Sequence, residues 1–296
     1  MTDKTTLGDR MKQYETTTQS HLLRRTPVII RVDGRAFHTF TKWFIGQPKP
    51  RKGLHPEPYE DRWIVDPSLM QTPFSEMLHL IMTSTALSLV NHIQNATFAY
   101  TQSDEISIVL RDWDRLETQQ WFGGNLQKMC SLSASIATAA FNFAHERVTG
   151  YRSTWFGDLA QFDSRVYNLP ESEVTNYFIW RQQDATRNSV QMLGRHYYSA
   201  KQMHGKSNSQ VQDMLMLLAK SVNWNDINVW KKRGACVYQH PQWSPVLSSP
   251  RFFVDDTPPI FTQDRNYIEK HLKVPNDDLE AMVREAFEAT KAGGDV

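Results

Sequence analysis

Residues 26–32 read TPVIIRV and end in Asp33-Gly34, and this run constrains the architecture more than any other segment. Val28, Ile29, Ile30 and Val32 leave almost no polar face, so the strand they predict is buried. Proline marks its start, and Asp-Gly closes it in a tight turn. Residues 96–102 and 106–110 predict two more strands separated only by Ser103-Asp104-Glu105, the pattern of a hairpin with acids at its tip. Residues 162–168 predict a fourth strand. Two helices fall between these strands. Pro73 fits the first position of one, in which Met77, Leu78, Ile81, Met82, Thr85 and Leu89 recur at helical spacing. The other covers 126–143, is rich in Ala and Ser, and places Leu126, Met129, Leu132, Ile136 and Phe143 on roughly one face. The order strand, helix, strand, strand, helix, strand is the ferredoxin-like split βαβ arrangement.

The expected fold class is therefore α+β: a βαββαβ sheet of the kind that builds polymerase palms, over residues 1–170, with a helical, basic C-terminal region. Residues 44–71 carry Pro48, Pro50, Pro56, Pro58 and Pro67 and read as a long loop or insertion. Residues 171–253 form the basic helical part, in which Arg181 to His240 hold nine Lys and Arg against three acids. Residues 254–296 form an acidic tail of ten acids against five bases, with a helix expected over 275–292. The formal net charge of +1 conceals this division. A locally basic surface suits a polyanion, most commonly nucleic acid, because each neutralised phosphate releases condensed counterions. A solvated helix face explains the same charges.

A hydrophobic fraction of 40% with 22% charged residues excludes wholesale disorder and fibrous repeats. No apolar run approaches the roughly 18–20 residues of a membrane span. The charged, polar start leads to the expectation of no secretory signal. Cys130 and Cys236 alone make neither a disulfide framework nor a four-ligand zinc site. A reducing, cytoplasmic setting without membrane attachment is expected.

In the split βαβ topology the first and third strands are central neighbours. The end of the first then lies beside the hairpin, which brings Asp33 next to Asp104 and Glu105. Close carboxylates repel unless a cation separates them, and Mg²⁺ accepts a few while leaving sites for phosphate oxygens and water. Two such ions can activate an attacking hydroxyl and stabilise a leaving pyrophosphate. Taken singly, Asp-Gly is a turn and Asp-Glu a solvated tip. Their joint placement is what points to a metal platform.

Five segments then carry a resemblance: Gly8-Asp9-Arg10-Met11-Lys12; Arg31-Val32-Asp33-Gly34-Arg35 with Phe37-His38; Tyr100 to Ser107; Phe162-Asp163-Ser164-Arg165; and Trp180 to Ser189. In this order, and with Lys231-Lys232-Arg233-Gly234 after them, they run from residue 8 to about 234 and resemble the tRNA(His) guanylyltransferase family. The resemblance implies a palm-fold 3′-to-5′ polymerase in which the 3′-hydroxyl of a nucleoside triphosphate attacks an activated 5′-end of tRNA. It implies two Mg²⁺ ions on Asp33, the carbonyl of Gly34 and Asp104, with Glu105 beside them as a further catalytic acid. Arg31, Gly34, Arg35, Phe37, His38, Ser103 and Lys128 are implied nucleotide contacts. Arg181, Gln182, Asp184, Arg187, Asn188, Lys232 and Arg233 are implied RNA contacts.

GTP or another nucleoside triphosphate is the implied substrate, ATP the implied activator of a 5′-monophosphate, and a homo-tetramer the implied assembly. The stretch Ala185-Thr186-Arg187-Asn188-Ser189 resembles the family's bacterial and archaeal form, which implies templated repair of truncated 5′-ends. Thr72 and Gly123-Gly124-Asn125 stand where the family carries basic residues. Lys49, Arg51 and Lys52 of the insertion could replace them. Template-directed nucleotide addition to tRNA is the leading expectation. A palm-fold RNA-binding protein without catalysis, and a nucleotidyltransferase with a different acceptor, are the alternatives.

Overall fold

The computed structural model describes residues 6–37, 40–41, 73–113, 116–149, 159–239 and 252–272. His38, the proline-rich segment 44–71 and the helix expected over 275–292 lie outside the described residues.

After a short helix α1 (Thr6–Thr17), β1 (Val28–Gly34) enters the sheet. It is followed by α2 (Glu76–His92), the hairpin β2 (Ala96–Gln102) and β3 (Glu105–Leu110), α3 (Leu126–Thr149) and β4 (Phe162–Asn168). These are the expected βαββαβ elements. The helices α4 (Glu171–Tyr197), α5 (Ala200–Met203), α6 (Asn208–Met216) and α7 (Val229–Arg233) follow, and the chain then returns to the sheet as β5 (Ala235–Gln239) and β6 (Phe252–Asp255), with α8 (Asn266–Leu272) last. The six strands lie in the order β4-β1-β3-β2-β5-β6, each pair antiparallel. No helix among the described residues is long and apolar enough to cross a membrane.

The apolar run of β1 is explained by cover on both faces. Val28, Ile30 and Val32 join a cluster with Met77, Ile81 and Leu89 of α2 and Met129, Ala137 and Phe141 of α3. Ile29 joins Phe98, Tyr100 and Val109 under Tyr177 and Phe178 of α4 and Tyr267 and Ile268 of α8. Alternation therefore places Arg31 and Asp33, like Ile29, on the α4 face.

Three local readings are corrected. Pro73 precedes the first turn of α2 instead of opening it: Ser75 is the N-cap, its hydroxyl accepting from the Leu78 amide at 3.2 Å. On α3 the inward line is Met129, Ser133, Ala137 and Phe141, while Leu132 and Phe143 are exposed. Small side chains at 133 and 137 let this helix lie close to the sheet, where the Ser133 and Ser164 hydroxyls meet at 2.7 Å. Finally, the five prolines of residues 237–259 predict irregular loops and an edge strand; the edge strand is β6, but the segment also holds most of β5, which lies inside the sheet and pairs with β2. Gly234, at φ 72°, makes this possible: a Cβ there would sit 2.4 Å from the Thr101 carbonyl oxygen.

Candidate active site

The hairpin joining β2 to β3 has only two turn residues, Ser103 and Asp104, since Gln102 pairs with Glu105. Ser103 adopts φ 52°, at the turn position where glycine is ordinarily found. The Gly34 amide donates to the Asp104 carbonyl at 3.0 Å, which ties the end of β1 to this turn. Asp33 and Asp104 are thereby neighbours, as expected. Burial pushes the Asp104 carboxyl above the usual carboxylate range. Hydrogen bonds from its own amide and from Ser103 oppose the rise, and the charge of Asp33 adds to it. Directly across from Asp33 on β4 stands a third acid, Asp163, of the segment Phe162-Asp163-Ser164-Arg165. Among the described residues no three His, Cys, Asp or Glu side chains converge as a ready-made metal site.

Glu105 has a different setting from the one expected. It is the first residue of β3, not part of the tip, and it is 4% exposed. Arg181 binds it twice, Nε to Oε1 and Nη2 to Oε2, each at 2.7 Å, and Arg31 Nη2 lies 2.9 Å from Oε2. The Ser107 hydroxyl donates to Oε1 at 3.2 Å and itself meets the Tyr177 hydroxyl at 2.7 Å. Burial raises the Glu105 pKa while Arg181 and Arg31 pull it back. These donors occupy both carboxylate oxygens. A residue so enclosed is not an open metal ligand.

The expected nucleotide contacts divide in the same way. Arg31 lies between Glu105 and Asp33, 3.7 Å from the latter. Arg35 stays at this end of the sheet, its guanidinium donating to the Gln161 side-chain oxygen at 2.9 Å. Phe37 is corrected: it is 3% exposed and packed on Phe40, Phe141 and Phe162. Gly34 makes room for it, because a Cβ at 34 would fall 2.3 Å from the Phe37 ring. Lys128 is also corrected. The start of α3 is tied to Ser20 and Leu22, and Leu23 is tied to Asn168, which pairs with Val28. Lys128 therefore lies toward the opposite end of the sheet from Asp33 within this chain.

Of the expected RNA contacts, two point inward. Arg181 is 4% exposed and committed to Glu105; burial works against its charge, but Glu105 and then Asp184 raise its pKa. Gln182 is equally buried, donating to the Pro259 carbonyl and accepting from the Phe261 amide, both at 2.8 Å. Asp184 accepts from Arg181 at 3.1 Å and from Arg187 at 2.8 Å, and Asn188 reaches it at 3.4 Å. Arg187 and Asn188 are exposed. Arg187, Lys232 and Arg233 line a cavity of about 420 Å³ together with Trp224, Thr186 and Ile260. Lys232 donates to the Asn225 carbonyl, and the Trp224 indole donates to Ser189 at 2.9 Å. The Ser107–Tyr177–Arg181 grouping had a visible signal: polar residues at alternate positions of an apolar strand, and partners four apart on one helix.

A split βαβ sheet with two carboxylates at the end of its central strands, crossed at that end by a helix bearing arginines, is an α+β palm. A model of tRNAHis guanylyltransferases matches residues 65–170. A bacterial tRNA(His) guanylyltransferase-like protein, solved in complex with ATP, is 38% identical with a TM-score of 0.73, covering 91% of this chain and 100% of that one. A bacterial guanylyltransferase-like structure in complex with GTP gives 36% and 0.67 over the same shares of both chains. A probable tRNA(His) guanylyltransferase of Dictyostelium discoideum is 23% identical over 232 residues, 74% of this chain and 78% of its own. The chain belongs to the tRNA(His) guanylyltransferase family.

Proposed function

We propose that this chain is a nucleotidyltransferase adding nucleotides in the 3′-to-5′ direction to the 5′-end of tRNA, with GTP or another nucleoside triphosphate as donor and ATP as activator. The observation that carries the reading is the pair of carboxylates at the β1 end, Asp33 and Asp104, joined through the Gly34 amide. Mg²⁺ suits this donor set, since it is commonly held by one or two carboxylates with substrate phosphates completing its shell. The raised Asp104 pKa marks a carboxyl in need of a counter-charge. Asp33, Asp104 and the Gly34 carbonyl would hold two ions, which when bound supply charge neutralisation for the attacking hydroxyl and the leaving pyrophosphate.

The remaining work is positioning. Arg35 and Ser103 stand at the same strand end and orient phosphates. Asp163 faces Asp33 from β4 and adds to the negative field that draws in the cation. On the RNA side, Arg187 and Asn188 are exposed, as are Arg195, Lys201, Lys206 and Lys220 further along the helical region. Contacts to backbone phosphates there set the register of the RNA, while pairing within the acceptor stem selects the nucleotide. Homo-tetramer formation belongs to the same reading, and light scattering of the purified chain tests it. α1 offers an exposed stripe of Leu7, Met11 and Tyr14 for such assembly.

The test of function is incubation of a 5′-truncated tRNA with Mg²⁺ and each nucleoside triphosphate, reading product length. Extension to the paired length with the template-matched nucleotide is expected from a 5′-triphosphate, and from a 5′-monophosphate when ATP is present. No extension of either end overturns the reading. Extension of unrelated RNA at equal rates replaces tRNA as the acceptor.

A further inference from the structure

Asp104 and Glu105 are adjacent in sequence, yet the end of the turn separates their surroundings. Asp104 belongs to the turn, whereas Glu105 sits in the strand register opposite Asp33, on the face that α4 covers. From Asp33 the charges alternate through the structure. Arg31 lies 3.7 Å from Asp33 and 2.9 Å from Glu105; Arg181 holds Glu105 and Asp184; Asp184 holds Arg187 at the rim of the 420 Å³ cavity. This chain of contacts joins the carboxylate end of the sheet to the exposed basic side of α4.

We propose that Glu105 and Arg181 are positioning residues for nucleotide addition. They keep Arg31 beside Asp33 and pin α4 across the strand end, so that the acceptor held by the basic surface and the carboxylates keep a fixed spacing. Glu105 acts through the two arginines and binds no metal. The inference rests on the reading that Asp33 and Asp104 hold Mg²⁺, and it reverses the role that the family resemblance gave to Glu105 and Arg181.

Three geometric facts support it. Bidentate guanidinium–carboxylate contact fixes orientation as well as distance, which a single-point contact does not. The Ser107 hydroxyl, itself backed by Tyr177, closes a remaining approach to Oε1. Arg181 lies one helical turn past Tyr177 and just before Asp184, so the contacts to Glu105 and Ser107 set both the rotation and the height of α4.

The experiment uses the full chain and two readouts. The first is equilibrium GTP binding as a function of Mg²⁺ concentration, which requires no RNA. The second is steady-state nucleotide addition to 5′-triphosphorylated, truncated tRNA, separated into kcat and KM for the RNA. Glu105→Gln and Arg181→Met are each expected to lower kcat by about 10–100-fold, the usual range for residues that orient a site from outside it. Half-saturating Mg²⁺ for GTP binding should stay within about threefold in both variants, whereas Asp104→Asn should move it by about tenfold or more. The double variant should be no worse than the poorer single, as for residues acting as one unit. Arg181→Lys should recover part of kcat by restoring the charge.

Arg31→Met leaves the Glu105–Arg181 contact in place and should reproduce the pattern at smaller size, which tests the idea even if a buried variant does not fold. A Mg²⁺ shift in Glu105→Gln equal to that of Asp104→Asn would make Glu105 a ligand and overturn the inference. Additive losses in the double variant would do the same. Failure of the proposed reaction would show separately, as a wild-type chain that binds GTP with Mg²⁺ but extends no RNA.

Discussion

On the α2 and α3 side of the sheet, Ile30, Val32, Ile106 and Ile108 meet Met82, Ala86, Met129 and Phe141 in an apolar cluster. On the α4 side the same strands add, to the apolar cluster of Ile29 and Val109, an ionic end where Arg31 and Arg181 meet Glu105 and Ser107 meets Tyr177. Hydrocarbon packing is non-directional and holds the platform stiff. The ionic side is directional, and it fixes where particular oxygens and nitrogens point. At its Asp33 end the sheet thus adds the task of aiming charges to the task of staying folded that both apolar clusters share, and substitutions in the two kinds of contact should fail in different ways.

The sharpest break of that comparison is Asp104→Asn, expected to cut nucleotide addition by about 10³-fold or more, the scale on which charge-stabilising groups act. Its thermal unfolding midpoint should not fall, since it removes a partly buried charge. Parallel loss of stability would assign Asp104 to the fold. Phe141→Ala, on the other face, should lower unfolding free energy by about 3–5 kcal/mol in a denaturant titration. The folded fraction should keep its kcat per molecule; if it does not, the apolar face has a direct part in aiming the site.

A smaller effect comes with pH. His145, stacked near Phe141 and tilted against Phe40, is held by burial at a pKa of about 4, against 6.5 when unfolded. The unfolded chain therefore takes up this proton first as pH falls. The stability due to neutral His145 is complete above pH 6.5 and drains away between 6.5 and 4. His145→Phe should flatten the fall in melting temperature over that window, and an unchanged slope would rule His145 out as its source. Smallest is Arg187→Ala, expected to weaken tRNA binding by about two- to fivefold and to reduce the salt slope by about one. Filter binding at several salt concentrations reads both, and an unaltered slope would remove Arg187 from the RNA surface.

The neighbourhood of Asp33 and Asp104 was legible because strand order follows from the sequence of elements and a buried run must be central. The direction of Glu105 was not. It depends on the hairpin having two turn residues, which Ser103 achieves by taking a backbone conformation usually left to glycine. Arg181 and Gln182 look like surface residues by type, and only their period with Tyr177 and Phe178 on α4 marks them as inward. Lys128 was placed by motif spacing, which carries no information on which way α3 runs along the sheet. The pairing of β5 with β2 joins residues more than 130 positions apart, and no local pattern encodes it.

The basic helices leave the sheet at β4, on one margin, and rejoin it at β5, beyond β2, on the far flank. A segment moored at both banks in this way cannot swing on a single hinge. Any pull exerted by a docked polyanion is shared between two strands, and lifting the span requires either unzipping β5 or first releasing the arginine clamp on α4, near the start of the span.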